Sequence, residues 1–466
     1  MFQFDTAIST GNLVLLAVCL LVAFAFEFAN GFHDTANAVA TVIYTNSMQP
    51  TRAVVLSAAL NFAGVFLGGI SVAMKIIKLL PVELLVSSGA SSGLAMVLAL
   101  LLAAVIWNVG TWYFGLPASS SHTLIGAILG VGLINALVTG KGIAAGINWH
   151  AASHVGLALL CSPLFGFTLG MVLLWASKRA LSDRRLHEPV MQAPPTWVRG
   201  VLIGTCAGVS FAHGSNDGQK GVGLVMLILI GLLPADYAVN RDLTGRGLEN
   251  VRAAVRSIDR TLQQGNPEAL AHKDVSGKTL RAELAALRSE LHRIKSVGEL
   301  AKAQRWEVRK QVLLVSSMLN QASKKLSSQE AASIHEARKQ MREITDYAPS
   351  WVIIMIALAL GVGTMVGWKR IVVTVGEKIG KTGLTYAQGA SAQIVAMSTI
   401  GASSFLGLPV STTHVLSSAI AGTMVAHKAG LQKKTVASIG LAWVLTLPAA
   451  MLLSALLFLL LRTIFG

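Results

Sequence analysis

The sequence predicts an all-α polytopic membrane protein. It is read as an inverted-topology repeat of about five spans per copy, 10–12 transmembrane helices in total, with broken helices or hairpins at the midplane and an inserted helical soluble domain. Three observations carry that expectation. First, the 466 residues are 53% hydrophobic and only 13% charged, with a mean hydropathy of +0.62, which is too apolar for a chain of this length in water. Second, ten apolar segments come close to the roughly 20 residues that a span requires. Third, two polar motif pairs recur at offsets that reconcile once a single hydrophilic stretch is removed.

The ten segments are approximately 13–44, 52–74, 93–115, 118–139, 154–176, 198–233, 350–367, 385–407, 410–428 and 435–461. The first has no basic region or small-residue cleavage site ahead of it, so it is expected to remain as a span. It and the sixth are unusually long, and polar glycine-containing patches interrupt both: Asn30-Gly31-Phe32-His33-Asp34 and His213-Gly214-Ser215-Asn216-Asp217. Both are expected to be broken helices lining a cavity, because freed backbone inside a bilayer must be buried in protein or wet. The 44 glycines fit helices packed closely in lipid.

The hydrophilic stretch 236–346 carries a net charge of +6 out of the +16 of the whole chain. Within it Leu280, Leu284, Leu287, Leu291 and Ile294 step by 4, 3, 4 and 3 residues, a short heptad seam on a helix. The chain therefore divides into a first membrane repeat (1–176), a basic loop (177–197), the start of a second repeat (198–235), the inserted helical domain (236–346) and the remainder of the second repeat (347–466). The other positive charges sit mostly in short loops, where they orient a membrane protein and give no reason to expect nucleic acid as a partner. They favour an outside N-terminus, which with ten spans puts the insertion outside too. Cys19, Cys161 and Cys206 lie in apolar runs without metal or redox spacing.

Phe28-Ala29-x-Gly31-x-x-Asp34 matches Phe211-Ala212-x-Gly214-x-x-Asp217 at an offset of 183. Gly115-Leu116-Pro117-x-Ser119-Ser120-Ser121-His122 matches Gly407-Leu408-Pro409-x-Ser411-Thr412-Thr413-His414 at 292. The difference, 109, is close to the 111 residues of the hydrophilic stretch, so one unit is duplicated with an insertion in its second copy. Five spans is an odd number, so the copies should face opposite ways, the plan of many secondary transporters, with the ligand at their interface near the midplane.

Each Gly-Leu-Pro motif predicts a turn followed by a helix start, since proline is tolerated in a first turn. Ser119, Ser120 and Ser121, and equally Ser411, Thr412 and Thr413, add hydroxyls to the free N–H groups and positive dipole end there, a combination suited to a tetrahedral oxyanion. The bland reading, that these residues merely cap buried helices, explains one copy better than two. Asp34 and Asp217 are costly in lipid and need a paired or functional reason. Asp34 and Asn37 share a helix face and can offer oxygens to a cation or hold a proton, whereas Lys220 follows Asp217 at the same spacing and would compete with a metal ion. Proton coupling through Asp34 or Asp217 is therefore expected, with a structural Asp217–Lys220 pair as the alternative. Glu27, two turns before Asp34, could extend a proton path. Asn30, His33, His122, Asn216 and His414 are expected to support the site, His213 is a lone buried histidine, and Gln393 is read as packing glue.

At these residues the sequence resembles the inorganic phosphate transporter (PiT) family, and within it the bacterial low-affinity Pit permeases. The resemblance rests on NGFHDTANAVATVIYT, WNVGTWYFGLPASSSHTLIGA, FAHGSNDGQKGVGLVML, YAQGASAQ and GLPVSTTHVLSS, and covers nearly all of the chain outside the insertion. It implies electrochemically driven uptake of inorganic phosphate across a bacterial inner membrane, coupled to protons and accepting neutral complexes of phosphate with divalent cations such as magnesium. It places Asp34, Asn37 and Asp217 on the family's duplicated Asn-Asp signature, and Ser119–Ser121 and Ser411–Thr413 on its anion-binding half-helices. Lys220 departs from the asparagine of sodium-coupled members. No resident cofactor is expected, any metal arrives with phosphate, and a homodimer is a candidate assembly. Sodium-coupled phosphate or sulfate transport, a passive channel and an intramembrane serine hydrolase are the competing functions; the hydrolase sits badly with two equivalent hydroxyl runs. The absence of GxxxxGK[ST] argues against ATP drive from this chain.

Overall fold

The computed structural model describes residues 10–80, 90–188, 190, 192–264, 277–323 and 327–465, so positions 265–276 and 324–326 of the insertion lie outside the described residues. The chain forms two compact units. One holds Leu229–Ala348, and the other Gly11–Ile228 with Pro349–Gly466.

Short turns aside, the helices of the apolar part are α1 (Thr10–Asp34), α2 (Ala36–Tyr44), α3 (Pro50–Leu67), α4 (Ser71–Ile77), α5 (Ala90–Tyr113), α6 (Ser120–Val138), α7 (Trp149–Ala180), α8 (Thr196–His213) and α9 (Gln219–Leu232). The hydrophilic unit contributes α10 (Gly245–Gln264), α11 (Gly277–His292), α12 (Lys302–Ala322) and α13 (Ser328–Met341). The apolar part resumes with α14 (Ser350–Thr364), α15 (Lys369–Glu377), α16 (Tyr386–Phe405), α17 (Thr412–Ala426) and α18 (Lys433–Phe465).

In the hydrophilic unit Leu280, Leu284, Leu287 and Leu291 are all buried in one core with residues of α10, α12 and α13. Ile294 lies beyond the end of α11 and only packs against that core. Ser327 and Glu330 form a capping box at the start of α13, satisfying two otherwise unpaired backbone donors.

Helix crossings in the apolar unit come in matched pairs. A Cβ on Gly31 of α1 would lie 2.5 Å from the Leu360 carbonyl of α14, and one on Gly363 would lie 2.1 Å from the Phe28 carbonyl. Likewise a Cβ on Gly214 would lie 2.2 Å from the Asn61 carbonyl of α3, and one on Gly64 2.2 Å from the Phe211 carbonyl of α8. Only glycine lets these backbones approach, which is the small-residue packing expected in lipid. The same exchange governs α6 and α17. Gly130 of α6 abuts Met451 of α18, while Gly422 of α17 abuts Phe167 of α7. The hydroxyl-tipped α6 is thus seated on α18, and the hydroxyl-tipped α17 on α7.

Six helices among the described residues are long and apolar enough to cross a membrane, or seven if the pair Ser350–Thr364 and Lys369–Glu377, bent by 65°, counts as one. Some of the ten apolar segments expected form helices too short, too polar or too interrupted to be counted in this way. α17 has 15 residues, about 22 Å of helix and short of a bilayer core. The polar residues of α16 dilute its hydropathy, and the sixth segment is split.

That split also corrects the expected broken helices. Asn30–Asp34 lie inside α1, and the interruption falls one residue later, at Thr35, whose backbone is still right-handed helical (φ −51°, ψ −37°). Thr35 N–H donates to Gly31 O at 3.1 Å, and Thr35 Oγ1 lies 2.6 Å from that oxygen and 3.0 Å from Thr364 O. In the second copy Gly214–Gly218 form a π turn between α8 and α9. A π turn widens the helix by one residue and re-aims side chains without abandoning backbone bonds, a device common at functional positions.

Candidate functional site

The two Gly-Leu-Pro motifs adopt one local structure. Gly115 (φ 66°) and Gly407 (φ 65°) are left-handed, a conformation that glycine adopts without strain. Ser119 and Ser411 then cap α6 and α17, their side chains accepting from His122 N–H at 3.2 Å and His414 N–H at 3.1 Å. The N–H groups of Ser120, Ser121, Thr412 and Thr413 precede the first intrahelical bonds, so each helix start presents free donors.

These starts meet. Ser121 Oγ donates to Val410 O at 2.8 Å, and the His122 and His414 rings lie 4.5 Å apart at 35°. His414 also faces Trp443 at 4.1 Å, whose Nε1 donates to Pro117 O at 3.0 Å. Indole and imidazoles thereby tie the approach of one motif to that of the other.

Between the starts sits Asp34, buried. Its Oδ1 accepts from Thr413 Oγ1 at 2.8 Å and lies 3.1 Å from His33 Nδ1. Its Oδ2 accepts from Ser120 Oγ at 3.1 Å, with Thr412 Oγ1 at 3.5 Å. A carboxylate therefore occupies the hydroxyl-lined position predicted for an oxyanion. Asp217 reaches the same hydroxyl, its Oδ2 lying 3.4 Å from Ser120 Oγ. Ser120 has one proton to donate and can serve only one carboxylate at a time. His213 Nε2 lies 3.7 Å from both Oδ2 atoms, while its Nδ1 is 2.9 Å from Asn61 Oδ1. Asp34, His213 and Asp217 offer ligand atoms all within 4.8 Å of one another, a grouping that could hold a cation.

Asn37 Nδ2 donates to Thr413 Oγ1 at 3.0 Å, and its buried Oδ1 has no hydrogen-bond partner. Lys220 Nζ donates to Ser121 Oγ at 2.5 Å, Asp217 Oδ1 at 2.8 Å and Val410 O at 3.0 Å.

The remaining predicted residues stand further out. Glu27 Oε1 accepts from Asn30 Nδ2 at 3.1 Å; its buried Oε2 lacks a partner and faces Gly221, where a Cβ would lie 2.4 Å away. Asn216 braces the turn before α17, donating to Leu408 O and to the Ser403 and Ser404 hydroxyls. Gln393 accepts from Thr205 Oγ1 at 2.6 Å and donates to Ala38 O at 2.7 Å, the bridging expected of packing glue. Sequence reasoning gave His213 no part in the cluster and overlooked Asn61 and the Val410 carbonyl. His213 stood in the motif, but only the π turn aims it at both aspartates; no local signal marks the other two.

Paired carboxylates, an ammonium and two hydroxyl-tipped helix starts, all buried among apolar helices, mark a helical membrane protein with a charged cluster inside its bundle. A model of the phosphate transporter family matches residues 30–454. The chain belongs to that family, a family of transporters and not of enzymes. It is 46% identical to the low-affinity inorganic phosphate transporter PitA of Escherichia coli K12, over 96% of each chain. It is 40% identical to a low-affinity inorganic phosphate transporter of Buchnera aphidicola from Acyrthosiphon pisum, again over 96% of each. A solved structure titled as the sodium-dependent phosphate transporter shares the fold, with a TM-score of 0.55 at 19% identity, covering 97% of this chain and all of that one.

Proposed function

We propose that this chain is a secondary transporter that imports inorganic phosphate across a bacterial inner membrane, with the anion held between the starts of α6 and α17. The observation that supports this most is the convergence of Ser120, Thr412 and Thr413 on the Asp34 carboxylate. Hydroxyls and helix N-termini gathered around one carboxylate are equally suited to a phosphate, and neutral donors would bind it without trapping it as a fixed cation would.

In this reading Asp34 is both placeholder and coupling group. While ionised it engages the hydroxyls and repels an incoming phosphate. A proton taken by Asp34, or by Asp217 across the shared Ser120 hydroxyl, removes that charge and releases donors to the anion. Phosphate then enters with its proton, and a divalent cation such as magnesium travels as part of the cargo, neutralising it. The matched crossings, α1 with α14 and α8 with α3, α6 with α18 and α17 with α7, support two inverted copies that rock against each other and open the site to alternate sides. The segment 236–346 is taken as an inserted domain between the second copy's first helices and its remainder.

Sodium coupling is the second reading, favoured by the cation-sized grouping of Asp34, His213 and Asp217. Uptake of radiolabelled phosphate into proteoliposomes, under imposed pH or sodium gradients with and without magnesium, separates the two. Accumulation driven by the pH gradient and quickened by magnesium is expected, and accumulation energised only by sodium would overturn proton coupling.

A further inference from the structure

The two copies of the Asp-x-x-polar face are not chemically equal, and the inequality has a definite geometry. Asn37 and Lys220 stand at the same offset of 183 that relates Asp34 to Asp217. Each addresses the equivalent hydroxyl of the opposite helix start: Asn37 donates to Thr413, and Lys220 donates to Ser121, 292 residues earlier. From there the copies diverge. Asn37 Oδ1 is buried and has no hydrogen-bond partner among the described residues. The Lys220 ammonium, only 2% exposed, meets three oxygens of three kinds: a hydroxyl, a carboxylate and the Val410 carbonyl.

Three donors facing three acceptors leave this ammonium saturated. A mixed shell of carboxylate, hydroxyl and backbone carbonyl oxygens is also what a small hard cation selects. A buried ammonium is held at large desolvation cost unless it is paired and hydrogen-bonded, so a Lys here is not filler. In the first copy the residue at the equivalent place is an asparagine, which makes the corresponding contact, Asn37 Nδ2 to Thr413 Oγ1, with a neutral amide.

We propose that Lys220 is a tethered cation: its ammonium fills, permanently and from within the chain, a monovalent-cation position of the second copy, and so makes that half of the site indifferent to sodium. Its positive charge partners Asp217 through the transport cycle, which leaves Asp34 as the carboxylate whose charge has to be met from outside. The inference rests on the transport reading above. It assigns Lys220 as the residue that decides which cation the protein responds to, and predicts one exchangeable cationic charge at the site where two unfilled copies would take two.

The test uses the full-length protein in detergent and in proteoliposomes, with sodium chloride against choline chloride at constant ionic strength. The thermal midpoint of wild-type protein is expected to rise with phosphate but not specifically with sodium. Lys220→Asn is expected to gain a sodium-specific rise, and its half-saturation for phosphate to fall in sodium by about five- to 150-fold, the range of ordinary coupling between two ligands. Lys220→Gln is measured in parallel, so that failure of one variant to fold leaves the other to read. A folded variant whose sodium-specific shift is no larger than that of the wild type overturns the proposal. Loss of the phosphate shift in the wild type would strike the transport reading instead, so the two failures are distinguishable.

Discussion

Thr413→Val tests whether the hydroxyls at the helix starts bind the substrate. The replacement keeps the branched shape and deletes one oxygen. That oxygen donates to Asp34 Oδ1 at 2.8 Å and accepts from Asn37 Nδ2 at 3.0 Å, so in the resting protein two buried partners lose a bond. Leaving such groups unsatisfied costs about 1–3 kcal/mol, and the thermal midpoint should fall accordingly. In the phosphate-bound protein the same hydroxyl donates to an anion, a bond worth about 1.5–3 kcal/mol. At about 1.4 kcal/mol per factor of ten, half-saturation for phosphate should rise about 10- to 150-fold. Thr446→Val is the control: its hydroxyl is also buried, bonded to Ala442 O at 2.6 Å and to the Trp107 indole N–H at 3.1 Å, but lies away from the cluster. Initial rates of uptake across a phosphate titration, with the midpoint measured on the same preparations, decide the matter. If Thr413→Val is folded and its half-saturation equals that of Thr446→Val, the hydroxyl does not touch phosphate and the assignment of the helix starts is wrong.

Other expectations follow from single contacts. Asp34→Asn and Asp217→Asn should each abolish accumulation driven by a pH gradient, and retention of it by both would remove the aspartates from coupling. Gly363→Ala places a Cβ 2.1 Å from the Phe28 carbonyl; overpacking of about 1–3 kcal/mol or more should leave little monodisperse protein on size exclusion, and normal yield and midpoint would refute the crossing. Leu287→Ala, in the core of the hydrophilic unit, should cost about 2–5 kcal/mol, read as faster proteolysis within 236–346 on the full-length chain; an unchanged rate would contradict the burial.

How much of this was legible in the sequence depends on whether a feature is local. The turn before α6 needs a left-handed glycine, a proline and a capping serine in fixed order, so Gly115 to Ser119 could be read directly and again at Gly407 to Ser411. The leucine seam of α11 was equally plain, because burial at a helical period is written residue by residue. The π turn was not. It differs from an unwound stretch by one residue of register, and the same His-Gly-Ser-Asn-Asp composition is compatible with either. Nor could spacing tell that Lys220 would divide its three bonds among Asp217, Ser121 and Val410, since the last two depend on where the two helix starts meet. Helix length was not legible either: the apolar run 410–428 holds a helix of 15 residues, because α17 begins at the buried cluster.

The crosswise seating of α6 on α18 and of α17 on α7 bears on how the chain is made. Gly126 and Gly130 are covered by Leu447, Ala450, Met451 and Ser454, all in α18, a helix made about 300 residues later. Until then the first half must wait in the lipid with that groove open, unable to finish its own fold. Coexpressed halves severed between the copies should therefore find one another, and either half made alone should be destroyed.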